Sequence, residues 1–306
     1  MKTLKIATRN STLALWQAEY VKKQLIHTHT GLNIELVSMQ TEGDRFLDAP
    51  LIAVGGKGLF IKELEQALLN GEADIAVHSM KDVTFDLPDD LALPVIMKRE
   101  DTRDVFISNN YKQIDDIPDG AVVGTSSLRR QSQIKSLHPA IVLKDLRGNV
   151  GTRLRKLDNG EYDAILLAAA GIIRLGLSER ITQLIPQSVL LPAIGQGAIG
   201  IECRAGDEVV HEMIAPLDDH DTYLCVQTER AFSRRLFGGC QLPIAGQASI
   251  IGNEISLVGL VARVDGSEVI KSEQKGSLAD SDSIGTVLAE TLLERGADEI
   301  LKELLH

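Results

Sequence analysis

The sequence predicts an α/β protein of two lobes with a hinged cleft, followed by a small α+β domain built on a three-stranded antiparallel sheet with helices. Three observations predict it. Short apolar runs alternate with amphipathic helical stretches over residues 3–97. The alternation restarts after the charged run Lys98-Arg99-Glu100-Asp101-Thr102. From residue 219 the pattern changes to a helix, a meander of alternating apolar residues and a second long helix. The expected domains are 1–98 with 198–217, then 103–192, then 219–306.

In the first lobe, residues 4–8 read as a strand and 11–26 as a helix capped by Asn10 or Ser11. Residues 34–39, 73–78 and 91–97 read as further strands. Phe60, Leu64, Ala67 and Leu68 fall at helical spacing, so 58–70 is expected to be an amphipathic helix that Gly71 ends. A mostly parallel sheet covered by helices follows from that order. The second lobe has strands at 105–108, 122–124, 141–143 and 164–168, with helices at 126–137 and 150–157. Leu191-Pro192-Ala193-Ile194-Gly195-Gln196-Gly197 is a second crossover, and the apolar run 198–201 returns the chain to the first sheet. Two crossovers between two lobes make a hinged cleft, with ligand at the carboxyl ends of the strands. The last domain has a helix over 220–236 and strands at 245–251, 254–264 and 268–276. Gly252-Asn253 and Asp265-Gly266 are expected two-residue turns. Ile284, Val287, Leu288 and Leu292 form the expected buried stripe of the final helix.

Composition excludes several classes. The 306 residues are 44% apolar and 25% charged, ordinary for a globular chain. No apolar run is long enough for a bilayer span, and the N-terminus lacks a signal-peptide core. A net charge of −11 argues against nucleic acid as a partner. Three cysteines (203, 225 and 240) without Cys-x-x-Cys spacing argue against a disulfide framework and for a reducing cytoplasm. No large apolar surface is evident, so a monomer is expected.

Cys240 is the residue most suggestive of chemistry. It lies in Phe237-Gly238-Gly239-Cys240-Gln241-Leu242-Pro243, where two glycines remove bulk before the sulfur and a proline prevents a helix. That reads as a loop presenting one thiol, and the competing reading is a buried structural cysteine. Thr8-Arg9-Asn10-Ser11-Thr12 and Gly124-Thr125-Ser126-Ser127-Leu128-Arg129-Arg130 share a second design. Each leaves a strand and opens a helix, where free N–H groups, hydroxyls and arginine forks suit an anion. Either one alone reads equally well as plain capping beside solvated arginines. Arg147, Arg153 and Arg155 add cations at another loop–helix junction. In His78-Ser79-Met80-Lys81-Asp82, Asp82 is a surface partner of Lys81 or a carboxylate held to stabilise a cation and move a proton. Val54-Gly55-Gly56-Lys57-Gly58 lacks the phosphate-loop pattern and reads as a mobile loop. His78 has no companion at metal-ligand spacing, so no metal is expected.

Together these segments resemble the porphobilinogen deaminase family, the hydroxymethylbilane synthases. The resemblance runs through Thr8-Arg9-x-Ser11, Gly-Gly-Lys-Gly-Leu-Phe-x-Lys-Glu-Leu (55–64) and His-Ser-x-Lys-Asp (78–82). It continues in Gly-Thr-Ser-Ser-Leu-Arg-Arg (124–130), Arg-Gly-Asn-Val-x-Thr-Arg (147–153), Gln-Gly-x-x-Gly-Ile-Glu (196–202) and Gly-Gly-Cys (238–240), covering essentially the whole chain. It implies two lobes like those of periplasmic solute-binding proteins and a third domain. It also implies a dipyrromethane cofactor attached to Cys240 through a thioether. Four porphobilinogen molecules would each lose ammonia and be joined head to tail on that primer, and hydrolysis would release linear hydroxymethylbilane. The resemblance makes Asp82 catalytic. It gives Ser79, Lys81, Asp82, Thr125, Ser126, Ser127, Arg129 and Arg130 to the cofactor, and Arg9, Ser11, Gln17, Arg147, Arg153, Arg174 and Gln196 to the substrate. Lys57 is carried over as a mobile-loop residue. Ala53 stands where many relatives have lysine, so the role of that lysine is not carried over. Many arginines in an acidic protein fit a product that gains two carboxylates per round. The alternative, a two-lobed anion-binding sensor or receptor without catalysis, leaves Cys240 and the Lys81–Asp82 pair unexplained.

Overall fold

The computed structural model describes residues 3–45, 58–236 and 242–305. These form two compact units, one running to Glu100 and including Ala198–Tyr223, the other comprising Asp101–Gly197 and the chain from Leu224 onward.

Strand β1 (Leu4–Arg9) opens the chain and helix α1 (Thr12–Thr28) follows it. Ser11 caps α1 by accepting from the Ala14 N–H at 3.3 Å. The helix buries Ala14, Gln17, Ala18, Val21 and Leu25, a stripe at intervals of three and four. Then come β2 (Ile34–Met39), a single turn α2 (Glu42–Arg45), α3 (Lys62–Leu69), β3 (Ile75–Ser79) and β4 (Leu91–Ile96). Helix α3 starts four residues later than expected. Gly58 has φ +83°, which a helix does not accept, so residues 58–61 form a turn first.

The first segment of the second unit carries strands β5 (Asp104–Ile107), β6 (Val122–Gly124), β7 (Val142–Lys144), β8 (Ala164–Ala168) and β9 (Gln183–Leu184). Helices α4 (Leu128–Leu137), α5 (Val150–Asp158) and α6 (Ala169–Arg174) alternate with them. The chain then returns to the first sheet as β10 (Ile199–Arg204), as the apolar run after the second crossover predicts. The two five-stranded sheets have orders β2-β1-β3-β10-β4 and β7-β6-β8-β5-β9. Each is mostly parallel, as expected, with four strands pointing one way and a single strand running against them. Strand β10 runs antiparallel to β3 and β4, and β5 antiparallel to β8 and β9.

The remaining elements are α7 (Glu208–Ile214), α8 (His220–Arg235), β11 (Ile244–Ile251), β12 (Glu254–Ala262), β13 (Val269–Ser277), α9 (Ser281–Leu292) and α10 (Asp298–Leu305). Strands β11, β12 and β13 form the expected antiparallel sheet. Phe232, Leu257, Ile284, Leu288 and Leu292 share its core, each worth about 1.5–3 kcal/mol in burial. A Cβ on Gly259 would lie 2.6 Å from Phe232 and 2.8 Å from Leu288, so glycine lets both helices close on the sheet. Val287 departs from expectation and is 48% exposed; Ala289 fills the buried stripe instead. Gly252-Asn253 is a two-residue turn. Asp265-Gly266 is not, because Arg263 pairs with Glu268 and the loop spans 264–267. Among the described residues no helix is long and apolar enough to cross a membrane.

Candidate functional site

In the first unit, three candidate residues gather where β3 ends. A single 3-10 turn, Met80–Asp82, carries the chain off the sheet. Met80 is buried and its N–H donates to the Ala198 carbonyl at 3.0 Å. Any Cβ on Gly200 would meet the Met80 sulfur at 2.3 Å, so that glycine makes the seat for the anchor. Ser79, Lys81 and Asp82 around it stay half-buried. Gln17, buried on α1, donates its side-chain amide to the Ser79 hydroxyl at 2.9 Å. Ser11 is occupied as the cap of α1.

Arg9, at the end of β1, is not an open fork. Its Nε donates to Asp44 Oδ2 at 3.2 Å and its Nη2 to Asp44 Oδ1 at 2.5 Å. The Phe60 ring centroid lies 4.2 Å from its Cζ. Nη1 is 3.7 Å from Asp82 Oδ2, beyond a hydrogen bond but within ion-pair range. Burial works against the charge of Asp44, but Arg9 and the Thr41 donors outweigh it and hold the carboxyl below its ordinary range. Sequence reasoning missed Asp44, Thr41 and Phe60. Phe60 was placed on the core stripe of a helix that in fact begins after it.

In the second unit, Thr125-Ser126-Ser127 joins β6 to α4. The backbone of Ser127 is extended at the cap position, its N–H donates to Thr125 Oγ1 at 3.2 Å, and its hydroxyl makes no capping bond. Thr125 is buried. Ser126 exchanges hydrogen bonds with the backbone of Leu146, at 3.0 and 3.2 Å, which ties down the loop that carries Arg147. The Arg147 Nε is buried without a hydrogen-bond partner among the described residues. Asn149 caps α5, and Arg153 folds back to donate to the Gly148 carbonyl at 2.7 Å. Arg174 donates to the Gly197 carbonyl at 2.7 Å.

Arg129 and Arg130 stand differently from the solvated or ligand-facing arginines expected. Both are buried around Asp104, which is itself fully buried. Arg129 Nη1 donates to Asp104 Oδ2 at 2.7 Å and to the Leu191 carbonyl at 2.7 Å. Arg130 donates to Asp104 Oδ1 from Nη2 at 2.6 Å and from Nε at 3.1 Å. Gln196, also buried, donates to the same oxygen at 3.0 Å and to the Thr102 carbonyl at 2.7 Å. Burial opposes the Asp104 charge, but the two guanidiniums prevail and hold its carboxyl far below the usual range. The cluster has two cations against one anion. Asp104 was missed by sequence reasoning, although an acid heading the apolar strand Asp104-Val105-Phe106-Ile107 signals a buried cationic partner.

Cys240, Lys57 and Ala53 lie outside the described residues. Cys203 and Cys225 are both buried. Burial, then Asp207 and Glu202, pushes the Cys203 thiol up to about 12.

A family model described as "Porphobilinogen deaminase, dipyromethane cofactor binding domain" matches residues 4–212. A second, "Porphobilinogen deaminase, C-terminal domain", matches residues 223–294. Among solved structures, the chain is similar to a putative methionine-binding lipoprotein from Bacillus subtilis, with 13% identity over 71% of this chain and 90% of that one and a TM-score of 0.44. A periplasmic substrate-binding protein of an ABC transporter from Coxiella burnetii has 11% identity over 70% and 92%, with a TM-score of 0.45. The VFT2 domain of BvgS from Bordetella pertussis (the F375E/Q461E double mutant) has 17% identity over 69% and 84%, with a TM-score of 0.43.

Proposed function

This chain belongs to the porphobilinogen deaminase family, a hydroxymethylbilane synthase of tetrapyrrole biosynthesis with a dipyrromethane cofactor, and from that premise we propose how its own residues divide the work. The enzyme joins four porphobilinogen molecules head to tail with loss of ammonia and releases a linear tetrapyrrole by hydrolysis. When bound, the dipyrromethane supplies the free pyrrole α-carbon that attacks the first substrate.

The residues present fit a polycarboxylate pyrrole. Arg147 has a buried Nε in search of an acceptor. The Arg129–Asp104–Arg130 cluster retains one positive charge beneath the start of α4. The Ser127 hydroxyl at that helix start is left over from capping. We assign the cofactor carboxylates to Ser79, Lys81, Thr125, Ser126 and Ser127, with Arg129 and Arg130 acting chiefly through their excess charge. Cys240 is the attachment point. A thiol as suppressed as that of Cys203, or as buried as that of Cys225, is unsuited to forming a thioether. Arg9, Ser11, Gln17, Arg147, Arg153, Arg174 and Gln196 are assigned to the incoming substrate, several of them by holding backbone rather than ligand.

Asp82 does the chemistry. Ammonia leaves as the substrate C–N bond breaks, and the positive charge left on the pyrrole is stabilised by the Asp82 carboxylate. Asp82 would also accept the α-proton released when the substrate carbon is joined to the primer. The observation that carries this assignment is a half-buried carboxylate at the carboxyl end of β3, 3.7 Å from Arg9 Nη1, on a turn anchored by Met80. We place the reaction in the cytoplasm and assign it to a monomer. The test is single-turnover kinetics of cofactor-loaded Asp82→Asn with porphobilinogen. A loss of about 10²–10⁴ is expected, and turnover within a few-fold of the parent refutes the role.

A further inference from the structure

Arg9 is held on two sides by groups that the reaction itself does not call for. Thr41, fully buried, donates its hydroxyl to Asp44 Oδ2 at 2.8 Å, with its N–H 3.4 Å from the same oxygen. Asp44 is thereby fixed before it meets Arg9, and its two oxygens take the Nε–Nη2 edge of the guanidinium. The Phe60 ring covers one face. That ring is itself seated by design of the backbone: a Cβ on Gly43 would lie 2.1 Å from Phe60, and the Gly43 N–H donates to the Leu59 carbonyl at 2.9 Å. Among the described residues, what remains of Arg9 is the edge carrying Nη1, and it lies 3.7 Å from Asp82 Oδ2.

We propose that Asp44 is a positioning residue for the reaction: with Thr41, Gly43 and Phe60 it aims the Nη1 edge of Arg9 at the place where a substrate carboxylate and Asp82 meet, and in neutralising Arg9 it weakens the hold on that carboxylate. The inference rests on the assignment of Arg9 and Asp82 above. Two consequences of Asp44 pull in opposite directions. A fixed guanidinium orients the substrate, and misplacement by about 1 Å costs roughly 10² in rate. A neutralised guanidinium attracts an anion less than a lone one does. Loss of the local fold would raise KM and lower kcat together. Loss of aim with gain of charge lowers both.

The experiment compares kcat and KM for porphobilinogen in the cofactor-loaded protein and its variants, each first checked for parental secondary structure by circular dichroism. Asp44→Asn is expected to lower kcat by about 10- to 100-fold while KM also falls severalfold. Asp44→Glu, which keeps the charge, should regain part of kcat and return KM towards the parent. Gly43→Ala displaces Phe60 without changing any charge, so kcat should fall with KM no lower than the parent's. An unchanged kcat in Asp44→Asn overturns the proposal, as does a KM that rises. Arg9→Leu separates the two levels. If it raises KM while Asp44→Asn does not lower it, only the role of Asp44 is wrong. If Arg9→Leu changes neither constant, the assignment of Arg9 fails and this inference with it.

Discussion

Replacing Asp104 by Asn should be among the most destabilising single changes in the second unit, although Asp104 is expected to touch neither substrate nor cofactor. The carboxylate is fully buried and accepts from Arg129 at 2.7 Å, from Arg130 at 2.6 and 3.1 Å, and from Gln196 at 3.0 Å. Asn keeps the size but removes the one charge that, among the described residues, the pair of buried guanidiniums shares. Breaking a buried ion pair by deleting one partner costs about 3–5 kcal/mol, because the other charge is left uncompensated. With a urea slope of about 2 kcal/mol/M, the midpoint should fall by roughly 1.5–2.5 M. Circular dichroism is the suitable probe, since the one tryptophan, Trp16, lies in the first unit and would not report on this cluster. The pH dependence has a definite sign. The folded carboxyl lies well below its unfolded value, so its stabilisation is complete above the ordinary carboxylate range and is lost as pH falls through the folded value. Parent and variant should therefore differ most near neutrality and converge in acid. A triple variant with Met at 129 and 130 and Leu at 104 removes every charge and should recover most of the loss. A midpoint for Asp104→Asn within about 0.5 M of the parent would refute the reasoning.

Arg147→Leu should leave unfolding unchanged, since no hydrogen bond to Nε is lost, yet raise KM for porphobilinogen by about 10- to 100-fold, the worth of a charge-assisted hydrogen bond of about 1.5–3 kcal/mol; steady-state kinetics read this directly. Gly266→Ala should lower stability by at least about 1–2 kcal/mol with kcat unaffected, measured by urea unfolding. The residue has φ +77°, and a Cβ there would lie 2.4 Å from the Ser136 backbone nitrogen, which cannot move aside as a side chain could.

The element order was legible because period and punctuation agree along most of the chain. The stripe of α1, Gly71 after α3 and the Gly252-Asn253 turn all sit where local chemistry puts them. Strand direction was not legible. Nothing in residues 199–204 says that β10 runs against β3, since a strand buried on both faces reads alike in either sense. The stripe of α9 was misread at Val287 because an apolar residue need not be buried. At the site, the residue types were readable and their engagements were not. Arg9 and Arg129 are each spoken for by an aspartate 35 and 25 residues away, and only the fold brings such partners together. Asp104 left a trace as an acid at the head of an apolar strand, whereas Asp44 left none.

The central claim is that growth occurs on a primer covalently attached to Cys240, and the intact mass of the purified protein tests it most directly. The account predicts a mass above that of the bare 33.3 kDa chain by two linked pyrrole units, the colour of a dipyrromethane with Ehrlich's reagent, and further increments of one pyrrole unit each on brief exposure to porphobilinogen. In Cys240→Ser all three should vanish while the fold persists. An active parent whose mass equals that of the bare chain, or a Cys240→Ser variant that still carries the added mass and turns over normally, would contradict it.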